Sequence, residues 1–91
     1  MWFEWDEHKA AANESKHGVS FEEAATCFYD QHQVAFYDPD HSQEEDREIL
    51  IARSESGRLL LVVYTIRGEG IRIISARQTT RKETRDYERG I

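Results

Sequence analysis

The stretch from Gly57 to Tyr87 constrains the fold most, because it holds two apolar runs separated by a glycine-rich turn. Leu59–Ile66 is rich in β-branched and aromatic residues, a composition typical of a buried strand. The segment Gly68-Glu69-Gly70 tolerates the positive φ angles that a short hairpin loop needs. Ile71–Arg77 then returns as a second strand. The sequence therefore predicts an antiparallel β-hairpin that the other segments must cover.

Those other segments predict three helices and three further strands. Asp6 and Ser20 are suitable N-caps, Ser20 begins an S-x-x-E capping box, and Gly18 provides the left-handed residue that ends a helix. The order β-α-α-β-β-β-β-α indicates an α+β fold, with helices on one face of a small, mainly antiparallel sheet. These elements are expected at Met1–Trp5 (an edge strand), Glu7–Lys16, Ser20–Phe28, Gln33–Tyr37, Arg47–Arg53 (a central strand) and, after an N-cap at Thr79 or Thr80, a C-terminal helix.

Size and composition predict one small cytoplasmic domain over residues 1–91. No apolar segment approaches the roughly 18 residues of a membrane span, so we expect no membrane association. The single cysteine, Cys27, cannot form an internal disulfide, and it is expected in the core.

Charge is distributed unevenly along the chain. Residues 1–56 carry 14 acidic side chains and 4 Lys or Arg, whereas residues 57–91 carry 4 acidic side chains and 8 Lys or Arg. A basic C-terminal third on an acidic body permits a local anion-binding face. The alternative is that these cations only solvate a helix and a sheet edge.

Three arginines lie on or beside the predicted hairpin, at positions 67, 72 and 77. Guanidinium groups bind phosphates bidentately and stay charged at any cellular pH. Regular strand alternation predicts Arg77 on the same face as Ile71 and Ile73, where a purely solvated side chain is not expected. The alternative for Arg77 is a structural ion pair, with Asp30 or Glu83 as the partner.

The first predicted helix carries a polar stripe formed by Lys9, Asn13, Lys16 and His17, which recur at helical spacing. A lysine, an amide and a histidine on one face can bind a phosphate and exchange a proton. The alternative is the solvated side of a helix, and His17 also suits the negative end of the helix dipole.

A second polar cluster is the pattern H-S-x-x-E-x-R, which contains His41, Glu45 and Arg47. A histidine, a carboxylate and an arginine can serve as acid, base and charge stabiliser, or they can simply close a loop by local hydrogen bonds. The histidines and Cys27 show no metal-ligand spacing, so no metal site and no cofactor are predicted.

Two long motifs run through the chain: K-H-G-V-S-F-E-E-A at residues 16–24 and R-I-I-S-A-R at residues 72–77. Shorter motifs are Phe3-Glu4-Trp5-Asp6 with Lys9 and Asn13, Asp40-His41-Ser42 with Glu45 and Arg47, Gly57-Arg58, and Glu83 with Tyr87. In this order, from residue 3 to residue 87, the chain resembles the BrnT family of bacterial toxins.

The resemblance implies a RelE-like fold and a ribonuclease toxin that inhibits translation. It also implies a BrnA-like antitoxin with a ribbon-helix-helix part, and operator DNA bound only through the toxin–antitoxin complex. RNA cleavage of this kind needs no metal ion, because the ribose 2′-hydroxyl attacks the adjacent phosphate once a base removes its proton. The competing interpretation is an inactive binding module that acts only as a partner in a repressor complex.

Each catalytic role then has candidates in this sequence. Arg67, Arg72 and Arg77 are expected to clamp the phosphate, whose charge increases in the transition state. His17 or His41 is expected to exchange protons, with Glu45 as a second candidate base. The residues expected to bind the RNA are Lys9, Lys16 and Arg47.

Overall fold

The structure of the chain is a computed structural model that describes residues 1–38 and 46–90. Within these residues the elements follow the predicted order. A short 3-10 helix over Cys27–Tyr29 directly continues the second α-helix. The strands are β1 (Trp2–Glu4), β2 (Val34–Tyr37), β3 (Arg47–Arg53), β4 (Leu59–Arg67) and β5 (Gly70–Gln78), and the helices are α1 (Glu7–His17), α2 (Phe21–Thr26) and α3 (Arg81–Arg89).

The described strands form one sheet in the order β1-β5-β4-β3-β2. Every neighbouring pair is antiparallel except β1 with β5, which is parallel. The predicted α+β fold, the mainly antiparallel sheet and the antiparallel β4–β5 pair are therefore confirmed. Strand β3 lies inside the sheet, as its apolar residues on both faces predicted, and β1 forms an edge.

Helices α1 and α2 cover one face of the sheet, and the main core lies beneath them. Gly18 ends α1 with a φ of 69°, so residues 7–28 form separate helices, as predicted. Ser20 caps the second helix by accepting from the backbone N–H of Glu23. The main core contains Val19, Phe21, Ala24, Cys27, Phe28, Leu50, Ala52, Leu60, Val62, Tyr64, Ile73 and Ala76.

Strand β5 contains a β-bulge at Ile74. Val63 of β4 pairs with Ser75, whereas the next residue, Tyr64, pairs with Ile73, which leaves Ile74 without a partner in the register. An extra residue in one strand shifts the alternation of its side chains by one position. Before the bulge the odd-numbered residues of β5 therefore face the core, and after it the even-numbered residues do.

The bulge corrects the predicted position of Arg77. Ile73 before the bulge and Ala76 after it both face the helices and are buried. Arg77 consequently points to the opposite face of the sheet. The prediction that Arg77 shares a face with Ile71 and Ile73 is wrong, because regular alternation does not hold across the bulge.

Helix α3 packs on that opposite face, where it contacts β3. Ile51 and Leu61 pair with each other across the sheet, are buried, and alternate away from the main core. The prediction that all helices cover one face is therefore wrong. The bulge directs Arg77 to the second face, and Glu83 of α3 binds it there.

Candidate functional site

The sheet face opposite α1 and α2 carries arginines from three neighbouring strands. Arg47 of β3 pairs with Thr65 of β4, which pairs with Arg72 of β5, so their side chains form one row on one face. Adjacent strands lie about 4.8 Å apart, which sets the Cα atoms of Arg47 and Arg72 about 10 Å apart. Arg67 of β4 belongs to the next row. We call this surface, defined by Arg47, Arg67 and Arg72, the arginine face.

Neighbouring groups fix the geometry of this row. Thr65 is buried at its centre, and its hydroxyl donates to the carbonyl of Asp46 at 2.9 Å. Glu4 of the edge strand pairs with Arg72, and its Oε1 lies 3.7 Å from Arg72 Nη1. That distance is longer than a hydrogen bond, so the Arg72 guanidinium can still turn toward an incoming phosphate. The row thus brings two guanidinium groups and one carboxylate to the same surface.

An apolar row separates the arginine row from helix α3. Phe36, Ile49, Val63 and Ser75 pair in register across strands β2 to β5. Phe36 is 44% exposed, and Ile49 and Val63 are partly exposed. Since α3 covers only the end of this face near Arg77, the described residues leave the apolar row accessible beside the cations.

Arg77 lies on the same face but is bound by α3. Its Nη1 and Nη2 atoms donate to the two carboxylate oxygens of Glu83, each at 2.9 Å. Glu83 also accepts from the N–H of Thr80, which completes a capping box at the start of α3. The Arg77 guanidinium holds the pKa of Glu83 below its ordinary value. This geometry corresponds to the structural alternative considered for Arg77, with Glu83 as the partner.

The polar stripe predicted on the first helix does not join the arginine face. Lys9, Lys16 and His17 lie on α1, which covers the other side of the sheet. Asn13 points inward: its Nδ2 donates to the carbonyls of Val19 and Ala76, and its Oδ1 accepts from the N–H of Ala76. The suggestion that Asn13 forms a phosphate site with these cations is wrong, because its side chain is buried and anchors α1 to β5.

Two predicted site residues, His41 and Glu45, lie outside the described residues. Of the same sequence pattern, Arg47 is described and belongs to the arginine face.

The structure also shows an ionic cluster that the sequence did not suggest. The Glu23 carboxylate accepts from the guanidinium of Arg58 and from the hydroxyls of Ser54 and Ser56. Arg58 also donates to the carbonyl of Gly18 at 2.9 Å. Hydrogen bonding from Arg58 lowers the pKa of Glu23 from its ordinary value of 4.5 to about 2. The cluster ties the β3–β4 loop to the junction of α1 and α2.

Sequence reasoning also missed Glu4 as a neighbour of Arg72. Glu4 was noted only as part of a motif, because nothing local indicates that β1 pairs in parallel with β5 from the other end of the chain. Only the strand order could have shown it.

Over residues 1–38 and 46–90, no three His, Cys, Asp or Glu side chains are grouped so that they could hold a metal ion. No helix in this part of the chain is long and apolar enough to cross a membrane.

Comparison with known proteins decides the family. A family model described as "Ribonuclease toxin, BrnT, of type II toxin-antitoxin system" matches residues 5–83. The chain belongs to the BrnT family. Among solved structures, the 1.1 Å crystal structure of the Brucella abortus ribonuclease toxin BrnT is similar, with a TM-score of 0.65 and 24% identity. That match covers 89% of this chain and 99% of the Brucella chain, and at this identity it supports the fold. No match was found among curated proteins.

Family membership identifies the system as a type II toxin–antitoxin pair, with an antitoxin as the partner. The long motif at residues 16–24 of this BrnT-family chain is largely architectural. Gly18 ends α1, Val19 and Phe21 are buried, and Glu23 binds Arg58. The matched region includes all three residues of the arginine face.

Proposed function

We propose that this BrnT-family chain is an endoribonuclease toxin that cleaves RNA on the arginine face and thereby inhibits translation. One observation carries the proposal: Arg47, Thr65 and Arg72 form a row on the sheet face that α1 and α2 do not cover. Two arginines whose Cα atoms lie about 10 Å apart can hold a scissile phosphate and its neighbour. The type of mechanism is the RelE-like, metal-independent one.

In this mechanism the ribose 2′-hydroxyl loses its proton to a base and attacks the adjacent phosphate. The bond from phosphorus to the 5′-oxygen breaks, and an acid gives that departing oxygen a proton. Arg72 stabilises the charge that develops on the phosphorane, while Arg47 and Arg67 bind flanking phosphates. Glu4 lies beside Arg72 and is the described carboxylate available as a base. Glu45 and His41 remain candidate base and acid from the sequence. Lys9, Lys16 and His17 are assigned to the periphery of the RNA, because α1 lies on the other side of the sheet.

The proposed partner is a BrnA-like antitoxin with a ribbon-helix-helix part. The apolar row between the cations and α3 offers such a partner a surface that an acidic and apolar segment fits. Binding there covers the arginine face and stops cleavage. Operator DNA is bound by the antitoxin part, in the cytoplasm, and the toxin acts as co-repressor.

The test is single-turnover cleavage of RNA by purified Arg72→Ala protein. We expect the rate to fall by about 10²–10³, the usual loss for one group that stabilises charge in a transition state. Arg72→Lys should recover part of the rate, since an ammonium cannot form two parallel hydrogen bonds. Arg85→Ala is the matched control, because it removes the same charge from an exposed position on α3. The melting temperature of each variant shows whether it is folded.

The competing interpretation, an inactive binding module, predicts a different result. Such a protein cleaves no more RNA than buffer does, although Arg72→Ala still weakens its binding of antitoxin. A well-folded Arg72→Ala protein that cleaves at the wild-type rate would remove Arg72 from the site. Loss of wild-type cleavage on addition of a chelator would contradict metal independence.

A further inference from the structure

The indole of Trp2 lies flat on the backbone of Gly70. A Cβ atom built at Gly70 would overlap the ring, at the same distance from Cδ2, Cε2 and Cε3 of Trp2. A point equidistant from three atoms of a six-membered ring lies on the axis through its centre. One face of the indole therefore rests on the glycine, and Gly70 is buried beneath it. Only a residue without a side chain permits this approach.

The other side of Trp2 is open, and arginines lie around it. Its side chain is 49% exposed although tryptophan is among the most apolar residues. Trp2 pairs with Gly70, which pairs with Arg67, so the ring belongs to a row on the arginine face. Arg72 follows two residues after Gly70 on the same face and pairs with Glu4. The flat ring of Trp2 thus has Arg67 in its own row and Arg72 in the next row.

Trp5 shows what a tryptophan with a structural role looks like in this chain. Its ring packs edge-on against Phe21 at 6.0 Å, and its indole N–H donates to Glu7 at 3.0 Å. The indole N–H of Trp2 makes no hydrogen bond with any residue that the structure describes. Trp2 therefore presents both an exposed ring and an available donor.

We propose that Trp2 is a stacking platform for one base of a single-stranded RNA, next to the phosphate held by Arg72. The inference rests on the proposed function and adds a substrate subsite to it. Bases of single-stranded RNA stack on exposed aromatic rings, and this stacking tolerates any base because each has a π-face. The glycine below keeps the ring parallel to the sheet, so that no induced movement is needed.

Binding of an uncleavable RNA tests the subsite. The probe is a short single-stranded RNA with methylated 2′-hydroxyls, titrated at several salt concentrations. We expect Trp2→Leu to weaken binding about 5- to 150-fold, the range for one aromatic–base stack. The dependence of affinity on salt should not change, because stacking releases no counterions. Arg72→Ala should instead reduce the slope of log affinity against log salt by about 0.7, as one lost phosphate contact does on a single strand.

Three further variants control for indirect effects. Trp2→Phe keeps an aromatic ring and should recover much of the affinity. Gly70→Ala leaves Trp2 in the sequence but displaces its ring, so it should weaken binding in the same way. Tyr29→Ala removes an even more exposed aromatic ring from the 3-10 helix and should bind like wild type. Melting temperatures show that each variant is folded.

Fluorescence gives a readout that a purely structural role would not affect. In a Trp5→Phe protein, Trp2 is the only tryptophan. The methylated RNA should quench its emission, whereas tripolyphosphate, which has phosphates but no bases, should not. The inference fails if tripolyphosphate quenches equally, or if Trp2→Leu binds RNA like wild type while the wild-type protein cleaves RNA. If the wild-type protein neither binds nor cleaves RNA, the proposed function fails and takes the inference with it.

Discussion

Glu23 belongs to a helix cap through its backbone, as the sequence predicts, but its carboxylate binds a distant loop. The S-x-x-E pattern predicted a capping box, and the Ser20 hydroxyl does accept from the N–H of Glu23. The Glu23 carboxylate, however, is bound by Arg58 and two serines from the β3–β4 loop. The bond between Ser20 and the N–H of Glu23 can be predicted from four consecutive residues. The bond between Arg58 and the Glu23 carboxylate joins residues 35 positions apart, which local sequence patterns do not reveal.

The lowered pKa of Glu23 makes a prediction about acid stability. Its ionised form stabilises the fold fully above about pH 4.5, its ordinary pKa, and this contribution is lost as the pH falls through about 2. We expect Glu23→Gln to lower the free energy of unfolding by about 2 kcal/mol at pH 7. The difference from wild type should narrow below pH 4.5 and nearly vanish at about pH 2. Urea unfolding at several pH values measures it.

Glu22→Gln is the control for that experiment, because Glu22 is exposed and precedes Glu23 in the same helix. Its effect should stay within about 0.5 kcal/mol at every pH. If the free energy of unfolding of Glu23→Gln is below that of wild type by the same amount at pH 7 and pH 2.5, the Arg58 cluster does not stabilise the fold through charge.

At the scale of elements, the sequence predicted which helices and strands form. It did not predict on which face of the sheet Arg77 and α3 lie. The caps at Asp6 and Thr80 and the break at Gly18 are local, so the helices could be predicted. The bulge at Ile74 arises from pairing with β4, and R-I-I-S-A-R contains no glycine to mark it. This single extra residue reversed the predicted face of Arg77. The side of the sheet predicted for α3 is also wrong, because that prediction came from the order of the elements, which does not show the face that a helix covers.

Variants of Arg77 and Glu83 can test whether Arg77 anchors α3 or takes part directly in RNA cleavage. No residue of α3 is buried, so its attachment relies on polar contacts such as this pair and the bond from the Tyr87 hydroxyl to Asp30. We expect Arg77→Ala to lower the free energy of unfolding by about 1 kcal/mol, and Glu83→Ala by somewhat more because the capping box is also lost. Thermal melting and single-turnover cleavage are measured on the same samples.

The two variants separate the roles because they remove opposite partners of one pair. If Arg77 acts through α3, both variants should retain similar cleavage rates once folded. If Arg77 contacts the phosphate directly, Arg77→Ala should lose cleavage while Glu83→Ala, which releases the guanidinium, should keep it. Arg81→Ala, an exposed arginine at the start of the same helix, serves as the control.

On the scale of the whole molecule, the two sides of the sheet carry different groups of residues. One side is covered by α1 and α2 and holds the main core, and the other carries the arginine face. The sequence predicts a basic surface in the C-terminal third with Arg67, Arg72 and Arg77, and the first two of these arginines lie on the arginine face whereas Arg77 is bound by Glu83. Arg47 belongs to the acidic part of the sequence, and Glu4 and Trp2 to the other end of the chain. They join this surface only through strand pairing, so composition could not group them.

This division predicts how the toxin and its antitoxin share DNA binding. The isolated chain has a net charge of −6, and three of its arginines lie on the surface that the proposed partner covers. Operator affinity should therefore arise from the ribbon-helix-helix part of the proposed antitoxin. At physiological salt we expect the co-purified complex to bind operator DNA about 10³-fold more tightly than the toxin alone, as specific binding exceeds non-specific binding. Anisotropy titrations of labelled operator with both samples measure this ratio, and the same complex should no longer cleave RNA.

Equal affinity of the isolated chain would contradict the assignment, because DNA would then be bound by the toxin itself. An Arg67→Ala/Arg72→Ala toxin in the complex provides the control: its operator affinity should be unchanged, since those cations face the antitoxin and not the DNA.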